Sequence, residues 1–181
     1  DLLGRNEFIA AYTQFNGADA AAALDRGFNT DWQDQILRTA VAHTHNLSFG
    51  GGDNSGHYRV SLSFQDQEGI IKNSGLTRYT ARFNGSRKFL NDRLILGTQL
   101  TIADVKDDNV PVTNNVGFEG DLYGSAIKSN PTAPVFNPDG TFYQPSNVEP
   151  NPVAMLGLSK SFTNTMRGLG NFSAELKIIE G

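Results

Sequence analysis

Between Tyr58 and Gln65 apolar and polar side chains alternate without an error. Tyr58, Val60, Leu62 and Phe64 fall on one side of an extended chain, and Arg59, Ser61, Ser63 and Gln65 fall on the other. A helix would scatter these residues round its circumference, so the segment reads as a two-faced strand. The rhythm returns in Tyr79, Ala81 and Phe83 against Thr80, Arg82 and Asn84, and again in Leu94, Leu96, Thr98, Leu100 and Ile102 against Ile95, Gly97, Gln99, Thr101 and Ala103. A shorter alternation covers Asn46 to Gly50, and a last one sets Phe172, Ala174, Leu176 and Ile178 against Asn171, Ser173, Glu175 and Lys177. Turn chemistry after Gly51 and at Asn91-Asp92 makes these about five strands into consecutive antiparallel hairpins.

An antiparallel sheet with one apolar and one polar face suits a soluble sandwich as well as a membrane barrel, so connector length and strand length carry the choice. The turns after the first, third and fifth strands (Asp53 to Ser55, Asn91-Asp92, Glu180-Gly181) are tight, and the connections after the second and fourth are long. That asymmetry, with strands of about ten residues and Tyr58, Tyr79 and Phe89 near strand ends, is the pattern of outer-membrane barrels. Residues 43–103 are therefore expected to be barrel strands, 104–165 a long loop and 166–181 a further strand ending at a turn. All seven prolines lie between Pro111 and Pro152, where they interrupt ladders, and Asn137-Pro138-Asp139-Gly140 predicts a small hairpin inside the loop. Residues 1–42 predict short helices, over Glu7 to Phe15, over Ala18 to Leu24, and after Thr30-Asp31-Trp32-Gln33, which matches a capping box and aligns Trp32, Ile36 and Ala40.

Composition, at 38% hydrophobic and 19% charged, is that of an ordinary globular protein, as expected when lipid-facing and lumen-facing residues average out. A net charge of −4 without a basic cluster argues against nucleic acid, and zero cysteines exclude disulfides and thiolate metal sites. No apolar run is long enough for a transmembrane helix. The first residues, Asp1-Leu2-Leu3-Gly4-Arg5, lack a signal-peptide pattern, so the sequence reads either as cytoplasmic or as a chain that has lost its start. No nucleophile elbow, phosphate-binding glycine loop or zinc helix appears, and no cofactor is expected. An enzyme is the class least supported.

Several stretches carry a more specific resemblance. Asn29-Thr30-Asp31-Trp32-Gln33-Asp34-Gln35-Ile36-Leu37-Arg38-Thr39-Ala40 followed by His45-Asn46-Leu47-Ser48-Phe49-Gly50 is similar to the barrel start of the SusC/RagA family of TonB-dependent outer-membrane transporters. Gln67 to Ser74, Arg78 to Arg82, Pro134 to Thr141 and Asn151 to Ala154 resemble the same family in the same order. The resemblance implies a closed barrel of about 22 strands around a plug, of which this chain would be a piece lacking plug, TonB box and first strand. It implies an outer-membrane importer of glycans or peptides, coupled through the full-length protein to TonB and to a SusD-like lipoprotein. A soluble β-sandwich that binds carbohydrate or a partner, and a barrel that only scaffolds its loops, stand as alternatives.

In that topology the long connections are extracellular, and Asp31, Trp32, Asp34, Phe118, Asp121, Tyr123, Asp139, Phe142 and Tyr143 become candidates to touch ligand or lipoprotein, through stacking faces and hydrogen-bonding carboxylates. Each could equally pack one loop on another. His43 and His45 lie on one strand face without a third ligand, and Asp104, Asp107 and Asp108 lack calcium-loop order, so no metal site is expected. Arg59, Arg82 and Arg87 are expected on the lumenal face.

Overall fold

A computed structural model describes residues 2–112, 121–146 and 149–178. The chain divides into two compact units. One is a five-stranded antiparallel sheet in sequence order, β1 (Ala42–Asp53), β2 (Gly56–Glu68), β3 (Gly75–Phe89), β4 (Leu94–Asn109) and β5 (Ser161–Leu176). The other is built from residues 1–39, 70–74 and 109–161 and holds the short helices α1 (Arg5–Asn16), α2 (Ala18–Leu24), α3 (Trp32–Ile36), α4 (Leu122–Lys128) and α5 (Pro152–Leu158).

The two-residue connection between β1 and β2 is set by Asp53, whose carboxylate accepts from the Ser55 amide at 2.8 Å and the Gly56 amide at 3.1 Å. The β3–β4 turn passes through three successive left-handed residues, Leu90, Asn91 and Asp92, at φ 55°, 53° and 66°. Asn and Asp tolerate that region through local hydrogen bonding, and Leu90 takes it at a cost the flanking ladder holds in place. The register is regular across the first four strands: Val60 faces Phe49 and Phe83, Phe83 faces Leu100, and Leu62 faces Leu47 and Ala81.

Two strands overrun the limits expected of them. β4 continues past Ala103 to Asn109, pairing Asp104 to Asp108 with Tyr79 to Gly75. β5 starts at Ser161, ahead of residue 166. The third helix also begins differently: Asp31, not Thr30, is its cap, accepting from the Gln33 and Asp34 amides at 3.0 Å each. Thr30 instead donates its hydroxyl to the Ala133 carbonyl at 2.6 Å, and the helix ends at Ile36, short of Ala40. The turn expected at Glu180-Gly181 lies outside the described residues.

The loop unit has its own core. Trp32, Ile36, Leu122, Ala126, Ala133 and Leu156 are buried together, with Ile71, Val135, Tyr143 and Val153 packed round them. These residues come from all three segments, so each connection is held by the others and not by its own sequence. The Trp32 indole N–H donates to the Asn130 carbonyl at 2.9 Å. Lys72 places its ammonium on the last carbonyls of α3, those of Asp34 and Gln35, at 3.0 and 2.8 Å, where the helix dipole favours a cation.

Candidate functional site

The parity of the register assigns every side chain of β1 to β4 to one of two faces. Read across the sheet, successive rows of one face are Gly51, Tyr58, Gly85 and Thr98; Phe49, Val60, Phe83 and Leu100; Leu47, Leu62, Ala81 and Ile102; and His45, Phe64, Tyr79 and Asp104. The opposite face carries Ser48, Arg59, Ser61, Ser63, Gln65, Arg78, Thr80, Arg82, Asn84, Gln99 and Thr101. In β5, Leu100 lies against Gly170, so Phe162, Met166, Phe172 and Leu176 join the apolar face, while Ser173 lies by Gly97 on the polar one. A shallow polar hollow at the tight-turn end is lined by His57, Asn84, Ser86, Gln99, Asn171 and Ser173.

The apolar face is uncovered. Leu62 at the centre of the sheet is 46% exposed, Ile102 57% and Met166 77%. Exposed apolar side chains in this number and contiguity mark a surface made for an apolar environment. At about 3.3 Å per residue, Leu94 and Ile102 stand about 26 Å apart along β4. A strand tilt of about 40° reduces this to roughly 20 Å of depth, near the height of an outer-membrane barrel's apolar band. Rings border the band at both ends. At the loop end His45 stacks on Phe64 at 6.3 Å between centroids and Phe64 meets Tyr79 at 5.1 Å. At the turn end Tyr58 lies over Gly51, where a Cβ would stand 3.2 Å from its hydroxyl, so the aromatic covers backbone that glycine leaves bare.

Arg59 and Arg82 occupy the polar face, as expected. Arg87 does not: it pairs with Gly56 and Leu96 and stands on the apolar side, its guanidinium 5.9 Å from the centroid of the Phe89 ring. Residues 82 and 87 differ in parity, so no regular strand could present both on one face. Parity also separates the acidic residues after Ile102, since Asp104 and Asp108 share one face and Asp107 lies on the other.

The connectivity gives the sheet two unlike ends. Turns 54–55 and 90–93 close one, and the three segments of the loop unit attach at the other, before β1, between β2 and β3, and between β4 and β5. Within that unit the candidate contact residues divide by burial. Trp32 is 4% exposed and belongs to the core. Tyr143 packs against that core, while Asp31 and Asp121 cap α3 and α4, Asp121 accepting from the Gly124 amide at 2.8 Å. Asp31, Asp34, Tyr123 and Asp139 are exposed. The Tyr123 hydroxyl accepts from Gln33 Nε2 at 3.1 Å.

Asp139 turns the small hairpin, accepting the Thr141 hydroxyl at 2.6 Å and its amide at 3.0 Å, and these bonds hold its carboxyl below the usual range. Gly140 takes φ +83°, as that turn requires. Phe142 bridges to Phe136 across the hairpin with the rings 5.1 Å apart, and Phe136 is half exposed. Phe118 lies outside the described residues. Further along the unit, the Arg5 guanidinium grips Asp25 at 2.8 Å and lowers its carboxyl chiefly through that hydrogen bond, joining α1 to α2.

The residue that sequence reasoning did not single out is Asn151. It is 2% exposed; its Oδ1 caps α5 by accepting from the Val153 and Ala154 amides, and its Nδ2 donates to the Val135 and Tyr143 carbonyls at 2.8 and 2.9 Å. An asparagine followed by proline is the signature of a capped helix start, and that signal was present. Thr132, fully buried, does a similar task between the Leu24 carbonyl and the Arg26 amide. Phe136 was likewise visible as the partner of Phe142 across the turn.

No protein-family model matches the sequence. The TonB-dependent receptor SusC of Bacteroides thetaiotaomicron is 32% identical over 98% of the chain. Two TonB-dependent receptors of Formosa agariphila are 32% and 30% identical over 94% and 100% of it. The chain spans only 19%, 17% and 18% of these relatives. Among solved structures, that of the RagAB peptide transporter superposes with a TM-score of 0.74 over 99% of this chain and 24% of its own, at 15% identity. The RagAB peptide importer in its closed-closed state gives 0.64 over 96% and 20%, at 19% identity. The likeness to these structures is one of fold, and the likeness in sequence runs through strands and loop unit alike. Over nearly its whole length the chain is SusC-like, similar to a stretch of TonB-dependent receptors, and it carries five strands of antiparallel sheet and the loop unit strung between them.

Proposed function

We propose that this chain is a section of the wall and external loops of an outer-membrane importer, driven through TonB, that takes up glycans or peptides delivered by a SusD-like lipoprotein. The observation that carries this reading is the uncovered apolar face on a sheet whose other face is polar throughout its middle. A soluble sandwich would bury the first under a second sheet. A barrel wall turns the first to lipid and the second to a watery lumen, and both are then satisfied.

In this reading the tight turns face the periplasm and the loop unit faces the medium. Asp34, Tyr123, Asp139 and Phe142, with Phe136, are the groups that meet ligand or lipoprotein. Trp32, Asp121 and Tyr143 serve the same surface from beneath, by holding core and a helix end, and the exposed Asp31 holds the start of α3 at that surface. Phe118 stays among the candidates on sequence alone.

Uptake of labelled oligosaccharides and peptides by cells carrying the full-length receptor tests both parts. Uptake is expected to stop when the proton gradient is collapsed. Replacing Tyr123 and Phe142 together by Ala is expected to lower it about tenfold, since exposed aromatic contacts contribute about 0.5–1.5 kcal/mol each. Uptake indifferent to the gradient would return the barrel to a scaffold, and an unchanged double variant would remove these two residues from the contact surface.

A further inference from the structure

Arg87 is the charge that neither the fold nor transport explains. It lies in a row with Asp53, Gly56 and Leu96 on the apolar face. Between that row and the loop-end band of Asp66 and Asp104 no other charged side chain occupies this face among the described residues. Nor does Arg87 stand at the rim, because Phe89 and Leu94 continue the apolar face one pair beyond it.

Its surroundings leave the guanidinium open. Among the described residues it makes no ion pair, and its one ring contact is with Phe89. The carboxylate in its row, Asp53, feels the Arg87 charge only as the weakest influence on it and forms no ion pair with it, while its Oδ1 accepts from the Ser55 amide, the Ser55 hydroxyl and the Gly56 amide at 2.8, 2.6 and 3.1 Å. Gly56, its neighbour on β2, carries no side chain. Toward the middle of the sheet, past the row of Tyr58, Gly85 and Thr98, Val60, Phe83 and Leu100 form an apolar floor, and the Phe83 ring leans back over Gly85 toward Arg87. The result is a planar cation with free donors above a hydrocarbon-like surface.

We propose that Arg87 binds the phosphate of a phospholipid at the tight-turn end of the sheet, with the acyl chains lying along Phe83, Leu96, Leu100 and Val60. The guanidinium fork matches two phosphate oxygens at once and is weakly hydrated, so it suits this boundary better than an ammonium would. An anion at that point also removes the cost of an unpaired charge one pair inside the apolar band. The loop end, with Asp66 and Asp104 on the same face, has the wrong sign for the same partner. A free phosphate would leave the apolar floor unused, so the floor favours a lipid. This site rests on the reading that the apolar face meets the bilayer.

The test uses the full-length receptor, purified in mild detergent, with native mass spectrometry of retained phospholipid. Arg87→Gln is expected to lower retention about tenfold, the worth of a charged hydrogen bond, and Arg87→Lys to keep part of it. Millimolar inorganic phosphate is expected not to displace the lipid. Equal retention in Arg87→Gln overturns the site, and displacement by inorganic phosphate replaces it with a free-anion site. Should Arg87→Gln fail to fold, as read by heat-modifiable gel mobility, Arg87→Lys carries the comparison, and retention equal to the parent's at every detergent concentration overturns the bidentate site. In parallel, Leu62→Trp in vesicles of brominated-chain phospholipid reports the face itself. An unquenched indole contradicts the bilayer reading, whereas quenching with unchanged lipid in Arg87→Gln contradicts this site alone.

Discussion

Leu62→Arg in the full-length receptor is expected to lower the folding stability in a bilayer by about 2–4 kcal/mol, and Ser63→Arg, its neighbour in sequence, to leave it within about 0.5 kcal/mol. Leu62 stands in the middle row of the apolar face between Leu47 and Ala81, at the depth where an unpaired charge is dearest. Ser63 pairs with Asn46 and Thr80 on the polar face, where water hydrates a guanidinium. Urea titration of the receptor refolded into vesicles reads both. Equal costs at the two positions would mean that the faces are not differently solvated.

Asn151→Ala is expected to loosen the loop unit by about 3–5 kcal/mol while the sheet stays folded. The loss of the helix cap is worth about 1 kcal/mol. The rest comes from leaving the Tyr143 carbonyl without its donor in a buried place, at about 1–3 kcal/mol, and from weakening the bond to Val135, whose carbonyl keeps the Tyr143 amide at 3.0 Å. Asn151→Asp would keep the cap but set a carboxylate against two carbonyls, and it is expected to do no better than Ala. Hydrogen exchange across residues 130–158 and tryptic cleavage after Lys128 or Lys160 would report the change. Protection equal to the parent's in both variants would show that Asn151 is not what ties these segments.

What could be read in the sequence and what could not divides along the same line as these two variants. The strands were legible because each residue's neighbour across the sheet lies on its own side, so a period of two in the chain is a property of the surface itself. The pattern faded where that contrast faded. From Asp104 to Asn109 both faces are mostly polar, and β4 keeps its ladder with nothing in the hydropathy to say so. In β5 the apolar set is broken by Asn164, Gly168 and Gly170. Arg87 lies an odd number of residues from Arg82, so the ladder through Gly85 turns it to the opposite face.

The loop unit was the harder object. Trp32, Leu122 and Leu156 meet in one core though far apart in sequence, and no local period records such a meeting. Helix caps at Asp31 and Asn151 leave local signs, although the capping-box pattern starts at Thr30, one residue ahead of the actual cap. Which candidate residues are exposed depends on that core, so burial of Trp32 and exposure of Tyr123 could only come from the fold.

The central claim is that one face of this sheet meets lipid and the other water. A cysteine scan from Tyr58 to Gln65 in the full-length receptor, spin-labelled in vesicles, measures it residue by residue, and this stretch has no cysteine of its own. A barrel wall requires high oxygen access at 58, 60, 62 and 64 and high access to a water-soluble nickel relaxant at 59, 61, 63 and 65. Uniform access to the water-soluble agent along the strand, or an alternation with the opposite phase, would contradict it.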